Sequence, residues 1–142
     1  MKNEEIITQW YDEVWNNKNE AFIDKILAPT CIAHGLMDEE GKEVVGPEKF
    51  KVLFRKFITS FPDIHLTVVD TVNEGDKIAA RAIAQLSHSG TSFEAFPGKT
   101  IEPSGKAIEF SGMTITVIRD GQIQEAWNSF DFLGLYAQLG AL

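Results

Sequence analysis

Apolar positions recur at helical spacing in two long stretches of the first half of this chain and at every second residue through most of the second half. Ile6, Ile7, Trp10, Tyr11, Val14 and Trp15 form a wide stripe that predicts a first helix. Asn3 is placed to cap it, and Glu4 and Glu5 suit the positive end of its dipole. Asn16-Asn17-Lys18-Asn19 breaks the pattern, and Asn19 can cap a second, short helix carrying Phe22, Ile23, Ile26 and Leu27 up to Pro29. Thr30 to Gly35 reads as a short strand. Gly46-Pro47-Glu48 opens the clearest helix, with Phe50, Leu53, Phe54, Phe57, Ile58 and Phe61 on one side before Pro62 stops it.

Beyond Pro62 the period becomes two. Ile64–Thr71 and Lys77–His88 read as strands joined at Asn73-Glu74-Gly75-Asp76, with Ile78, Ala80, Ala82, Ala84, Leu86 and His88 on one face. Arg81, among the alanines, is an ion-pair partner or an edge residue. Gly90 to Lys106 carries two prolines and three glycines. It reads as a lid or as a long hairpin connection, with Phe93 and Phe96 exposed unless they fold over something. Met113–Ile118 and Ile123–Phe130 then flank Asp120-Gly121, a pair that favours a primed hairpin turn. Strict alternation along the return arm puts Ile123, Glu125, Trp127, Ser129 and then Asp131 on one face, with Ala126 and Phe130 on the other. A face mixing Ile and Trp with carboxylates suits a pocket wall. An edge strand with one amphipathic face gives the same pattern. Helices succeeded by a run of antiparallel strands predict an α+β fold with helices packed on one face of a curved sheet.

Composition narrows the function classes. A chain of 142 residues, 44% apolar with 15 aromatics, reads as one domain over residues 1–142. A net charge of −8 argues against nucleic acid or an anionic membrane as partner. No apolar run approaches the roughly 20 residues of a membrane span, and the N-terminus shows no apolar leader, so the expected location is cytoplasmic. The single cysteine rules out an internal disulfide framework. Three scattered histidines lack metal-ligand spacing, and no zinc, phosphate or dinucleotide fingerprint occurs, so neither metal nor cofactor is expected. Cys31 and His34 lie three apart in a strand, on opposite faces, and cannot act as nucleophile and base. His34 alone is a pocket donor or a core histidine. The remaining titratable groups are Asp131, Glu125, His34, His88 and Arg81. They suit proton transfer at an acidic carbon. Tyr11, Trp15, Phe54 and Trp127 are expected around the substrate, an apolar or aromatic small molecule.

Trp15-Asn16-Asn17-Lys18-Asn19, His34-Gly35, Gly46-Pro47 and Phe61-Pro62-Asp63 occur in turn as landmarks similar to those of the SnoaL-like polyketide cyclases. Ser87-His88-Ser89-Gly90 and Pro103-Ser104-Gly105-Lys106 resemble two further stretches of that family. Its closing motif resembles Arg119 to Ile123, Glu125-Ala126-Trp127, Asp131 and Gly134 to Gly140. The resemblance implies a nuclear transport factor 2-like cone, often dimeric, and cofactor-free aldol ring closure of a polyketide ester. It carries the base onto Asp131, with His88, Trp127 and Tyr11 as pocket residues. Asp131 also precedes Phe132-Leu133-Gly134-Leu135, where an N-cap belongs, so base and cap compete for one side chain. A homodimer is expected through the outer sheet face, on Phe130 and Ala126. Two alternatives stand beside the cyclase reading. One is an epoxide-hydrolase-like enzyme using Arg81, Glu125 and Asp131 around a water. The other is a non-catalytic binding or dimerising module.

Overall fold

The computed structural model describes residues 2–142. The chain begins with helix α1 (Asn3–Gln9), which runs directly into a π-helical segment, Trp10–Asn16. Helix α2 (Ala21–Ile26) leads into strands β1 (Leu27–Met37) and β2 (Glu43–Val45), and then into the long helix α3 (Gly46–Ser60). Strands β3 (His65–Glu74) and β4 (Lys77–Ser87) come next. A small separate hairpin, β5 (Phe93–Phe96) and β6 (Lys99–Ile101), precedes β7 (Ala107–Arg119), β8 (Gln122–Phe130) and helix α4 (Phe132–Leu139).

The main sheet has the order β2-β1-β8-β7-β4-β3, with the helices packed on its concave side. The α+β cone expected from the sequence is present. Its sheet is mixed rather than wholly antiparallel, because β1 lies parallel to β8. The chain enters through β1 and returns through the β7–β8 hairpin, with β2, α3, β3, β4 and the small β5–β6 hairpin carrying it round, the long crossover that a parallel pair requires. Phe54, Phe61, Ile6, Ile23 and Ile78 are fully buried between the layers. Each such side chain contributes about 1.5–3 kcal/mol of burial free energy.

The helix ends depart from expectation. Lys2, not Asn3, precedes α1, and its carbonyl accepts from Ile6 N at 3.3 Å. Asn19 receives Phe22 N on its backbone carbonyl, not its side chain. The second helix yields to β1 at Leu27, before Pro29. Pro29 falls in the stretch where the β1–β8 register shifts, so its missing N–H costs no ladder bond.

The break at Asn16 to Asn19 has a structural task. Asn16 Nδ2 donates to Leu66 O at 2.9 Å, and Leu66 N donates back to Asn16 Oδ1 at 2.7 Å. The side-chain amide thus acts as a one-residue strand against the free edge of β3. It fastens the end of the first helical segment to the sheet. Lys18, at φ 56°, turns the chain and donates to Ile64 O.

The β7–β8 hairpin turns through Asp120 and Gly121, both at positive φ as a primed turn demands. Just beyond the turn the ladder carries an extra residue. Ile118 pairs with Ile123 while Val117 pairs with Glu125, leaving Gln124 as a bulge. Gly112 on β7 faces Phe130 on β8, and a Cβ there would collide with the Phe130 ring.

Asn16→Ala removes both bonds to Leu66 and leaves a backbone pair without partners. It should lower unfolding free energy by about 2 kcal/mol, read as a shifted urea midpoint at unchanged slope. A change under a few tenths of a kcal/mol would mean that the clamp is replaced by solvent at no cost.

Candidate active site

The cavity between the helices and the concave sheet face holds about 830 Å³, counting its open mouth. Its roof comes from the π-helical segment and α3. Trp10, Tyr11 and Trp15 descend from the first, and Phe50, Leu53 and Phe57 from the second. The wider turn of the π segment, with Asn17 N donating to Asp12 O at 2.8 Å, lets Trp10 and Trp15 share a face at a separation of five. Such segments recur at functional sites.

The floor comes from β7 and β8. Thr114 and Thr116 point up from β7, and Ala126, Asn128 and Phe130 from β8. This is the opposite face of β8 from the one strict alternation predicts. The bulge at Gln124 explains it: Ile123 points inward, and beyond the extra residue the phase flips. Glu125 and Trp127, expected in the pocket, therefore stand on the outer face. Ala126 and Phe130, expected outside, line the cavity.

The other expected site residues divide between cavity, core and surface. Tyr11 and Trp15 line the cavity. Phe54 is fully buried behind Trp15, at 5.4 Å between rings, and belongs to the packed core. His88 is also fully buried, against Phe61, and its Nε2 donates to Thr91 O at 2.8 Å. It anchors the base of the β5–β6 hairpin rather than facing the cavity. That hairpin folds over α3, with Phe93 buried between Phe57 and Phe61 and Phe96 partly exposed beside Tyr136. Asp131 is exposed and caps α4: its Oδ1 accepts from Gly134 N at 2.8 Å. Arg81 pairs with Asp70 across β3 and β4 on the outer face. Cys31 points into the cavity while His34 points away from it, as their spacing requires. Burial pushes the Cys31 thiol up to about 11, Glu125 adding to the effect, so it stays protonated.

Three polar side chains in the cavity form one line. Tyr11 Oη lies 3.2 Å from Thr114 Oγ1, which donates to Asn128 Oδ1 at 3.2 Å. Asn128 Nδ2 donates to the backbone carbonyl of His34 at 3.0 Å. Burial raises the Tyr11 pKa, with the Thr114 contact opposing, so the phenol is neutral at physiological pH. Among the described residues, no Asp, Glu, His, Lys or Arg side chain lines the cavity. Sequence reasoning missed Thr114, Thr116 and Asn128. The alternation of β7 points the two threonines the same way as buried Phe110, a usable signal; Asn128 lies beyond the bulge, which no residue pattern announces.

On the outer face His34 is held between two carboxylates. Nε2 meets Glu125 at 2.6 Å, Nδ1 meets Glu43, and the ring stacks on Trp127 at 5.4 Å between centroids. The bond to Glu125 raises the His34 pKa; desolvation opposes this, and the charges of Glu43 and Glu125 add to the rise.

A profile of the SnoaL-like polyketide cyclases matches residues 5–139. Among solved structures, IdmH of Streptomyces antibioticus, named as a proposed polyketide cyclase, is 27% identical at TM-score 0.80, covering 99% of both chains. A proposed polyketide cyclase from Acidithiobacillus ferrooxidans is also 27% identical, at TM-score 0.78, over 100% of this chain and 97% of its own. AclR of Streptomyces galilaeus, named as a proposed hydroxylase, shares the fold at TM-score 0.79 and 23% identity, over 99% of this chain and 85% of its own. No curated protein matches the chain.

The His34 cluster has a pH signature. Its stabilising contribution is complete below the ordinary histidine value of 6.5 and is lost as pH rises through the raised folded-state value. Thermal melts from about pH 6 to about pH 9 should show the wild type above His34→Gln at the acidic end, the gap narrowing as pH rises. Parallel curves would rule out the charged pairing.

Proposed function

The chain belongs to the SnoaL-like polyketide cyclase family, and we propose that it closes or isomerises the ring system of an apolar, polyketide-type small molecule by moving a proton at an acidic carbon. The observation that carries this reading is the cavity itself: apolar walls with a single polar line, Tyr11–Thr114–Asn128, on the floor. Such walls take up a flat, ring-bearing ligand, and a few fixed polar groups orient it. The reading requires no metal or cofactor.

In this reading Asp131 is the proton acceptor. It is flanked in sequence by Phe130 and Phe132, both lining residues. To serve as base its carboxylate must release Gly134 N–H, and water exclusion by the two rings on substrate entry would raise its basicity. The resting bond to Gly134 favours a second reading, a binding module in which Asp131 only caps α4. The hydrolase alternative has less support, since Arg81 is occupied by Asp70 and Glu125 by His34, each on the outer face.

We also infer a homodimer through the outer face of the sheet. One cross-strand row there runs Val72, Ala79, Ile115, Trp127 and His34 over five strands. Val72 is 69% exposed, Ile115 46% and Trp127 42%, with Met113 at 61% beside them. An apolar stripe of that extent calls for cover, and a second copy presents the same row.

Asp131→Asn retains a capping oxygen but cannot take a proton. Turnover of a polyketide-type ester should fall at least about a hundredfold with the melting temperature nearly unchanged. Normal turnover by the variant would remove Asp131 from the chemistry and leave the cap as its role. For the assembly, light scattering at micromolar concentration should give twice the chain mass for the wild type and a single chain for Ile115→Lys. A monomeric wild type would refute the dimer.

A further inference from the structure

The direction of the polar line in the cavity is set by one fixed end. The carbonyl of His34 can only accept, so the Asn128 atom 3.0 Å from it must be Nδ2. That orients the amide and makes Oδ1 the atom facing Thr114, and Oδ1 too can only accept. The hydroxyl of Thr114 therefore gives its single hydrogen to Asn128. With that hydrogen committed, Thr114 can meet Tyr11 only as an acceptor, so the Tyr11 hydroxyl is the donor in the 3.2 Å contact. The tyrosine's hydrogen is spent on the sheet, and its lone pairs are what it offers to a ligand. Thr116 repeats the arrangement independently: its hydroxyl donates to Ile78 O at 3.2 Å, which leaves lone pairs there as well. Both threonines and the tyrosine line the same cavity.

Resting on the reading of this cavity as an aromatic substrate site, we propose that its floor selects ligands bearing a hydrogen-bond donor, a phenolic or enolic hydroxyl, with Asn128 as the positioning residue that sets this polarity and Tyr11 as the group that receives the ligand's hydrogen. A ketone or ether oxygen in that place meets the lone pairs of Tyr11 and is disfavoured unless the whole line reverses. Reversal is blocked at its far end, because the His34 carbonyl has no hydrogen to give. The device distinguishes the enol form of a β-dicarbonyl unit from its keto form, the two states that interconvert when a proton leaves an acidic carbon and returns on oxygen.

The test uses three probes of one shape: 2-naphthol, which donates; 2-methoxynaphthalene, which only accepts; and 2-methylnaphthalene, which does neither. Binding to the full chain is read by calorimetry. The wild type should prefer 2-naphthol to both others by about fivefold to tenfold, the effect of one neutral hydrogen bond. Thr114→Val removes the acceptor that occupies the tyrosine's hydrogen, so 2-methoxynaphthalene should bind this variant more tightly than it binds the wild type, and the preference should shrink toward unity. Tyr11→Phe should abolish the preference without that gain. If the wild type binds all three equally, or favours the ether, the polarity assignment is overturned while the aromatic site stands. If none of the three binds, the aromatic-site reading falls, and the assignment with it. Should Thr114→Val fail to fold, the wild-type ranking and its loss in Tyr11→Phe decide the matter.

Discussion

The pairing of β8 with β7 determines which side chains this protein shows to its cavity and which to its outside. The pairing changes phase once, at Gln124. Were β8 to alternate regularly through Gln124 with no bulge, Glu125, Trp127 and Ser129 would turn inward and Ala126, Asn128 and Phe130 outward. The cavity would then hold a carboxylate that must be desolvated, at a cost of several kcal/mol unless paired. The outer face would lose the partners that hold His34. A single inserted backbone unit thus separates the two faces of the sheet into chemically different surfaces. Inside, the polar side chains are neutral, with Tyr11, Thr114 and Asn128 joined in one line and Thr116 bonded to Ile78 O. Outside, a histidine sits between two acids.

This separation explains what the residue pattern could and could not convey. The helix stripes were legible because burial against a sheet demands an apolar face of fixed width, and Phe50, Phe54, Phe57 and Phe61 supply it over about three turns. The primed turn was legible because Asp120 and Gly121 both take positive φ. The inward direction of β7 was legible from its alternation. The phase of β8 was not, since Gln124 is an ordinary residue and a bulge is decided by how the partner strand accepts it. From that one slip come the misplaced Glu125 and Trp127 and the missed Asn128. His88 was misplaced for another reason. It shares a face with the inward alanines of β4, but it lies at the strand's end, past the cavity, where Thr91 takes its hydrogen. Asp131 continued the assumed phase of β8, whereas the chain leaves the sheet at Phe130 and the side chain turns to the new helix.

The helical layer shows the same economy. The asparagine-rich break after Trp15 reads as a loop, yet Asn16 behaves as a strand residue toward β3. It fixes the end of the segment from which Tyr11 and Trp15 reach the cavity. The roof is thereby held to the sheet edge by backbone-type hydrogen bonds and over the floor by aromatic packing. The site combines rigid support on both sides with an interior that contributes few directional contacts of its own.

Gly112 carries a further implication. Its missing side chain leaves the slot in which the Phe130 ring rests, between β7 and the cavity end. The sheet does not need a glycine here for its dihedrals, since Gly112 is not among the positive-φ positions; it needs the empty space. Position 112 therefore works as a depth gauge. An added methyl would push the ring toward the ligand and shorten the chamber, while a smaller residue at 130 beside the same glycine would lengthen it. Between relatives that keep the cone, the reach of the substrate can be retuned at this one cross-strand pair while the polar line, two rungs away, goes on reading the same functional group.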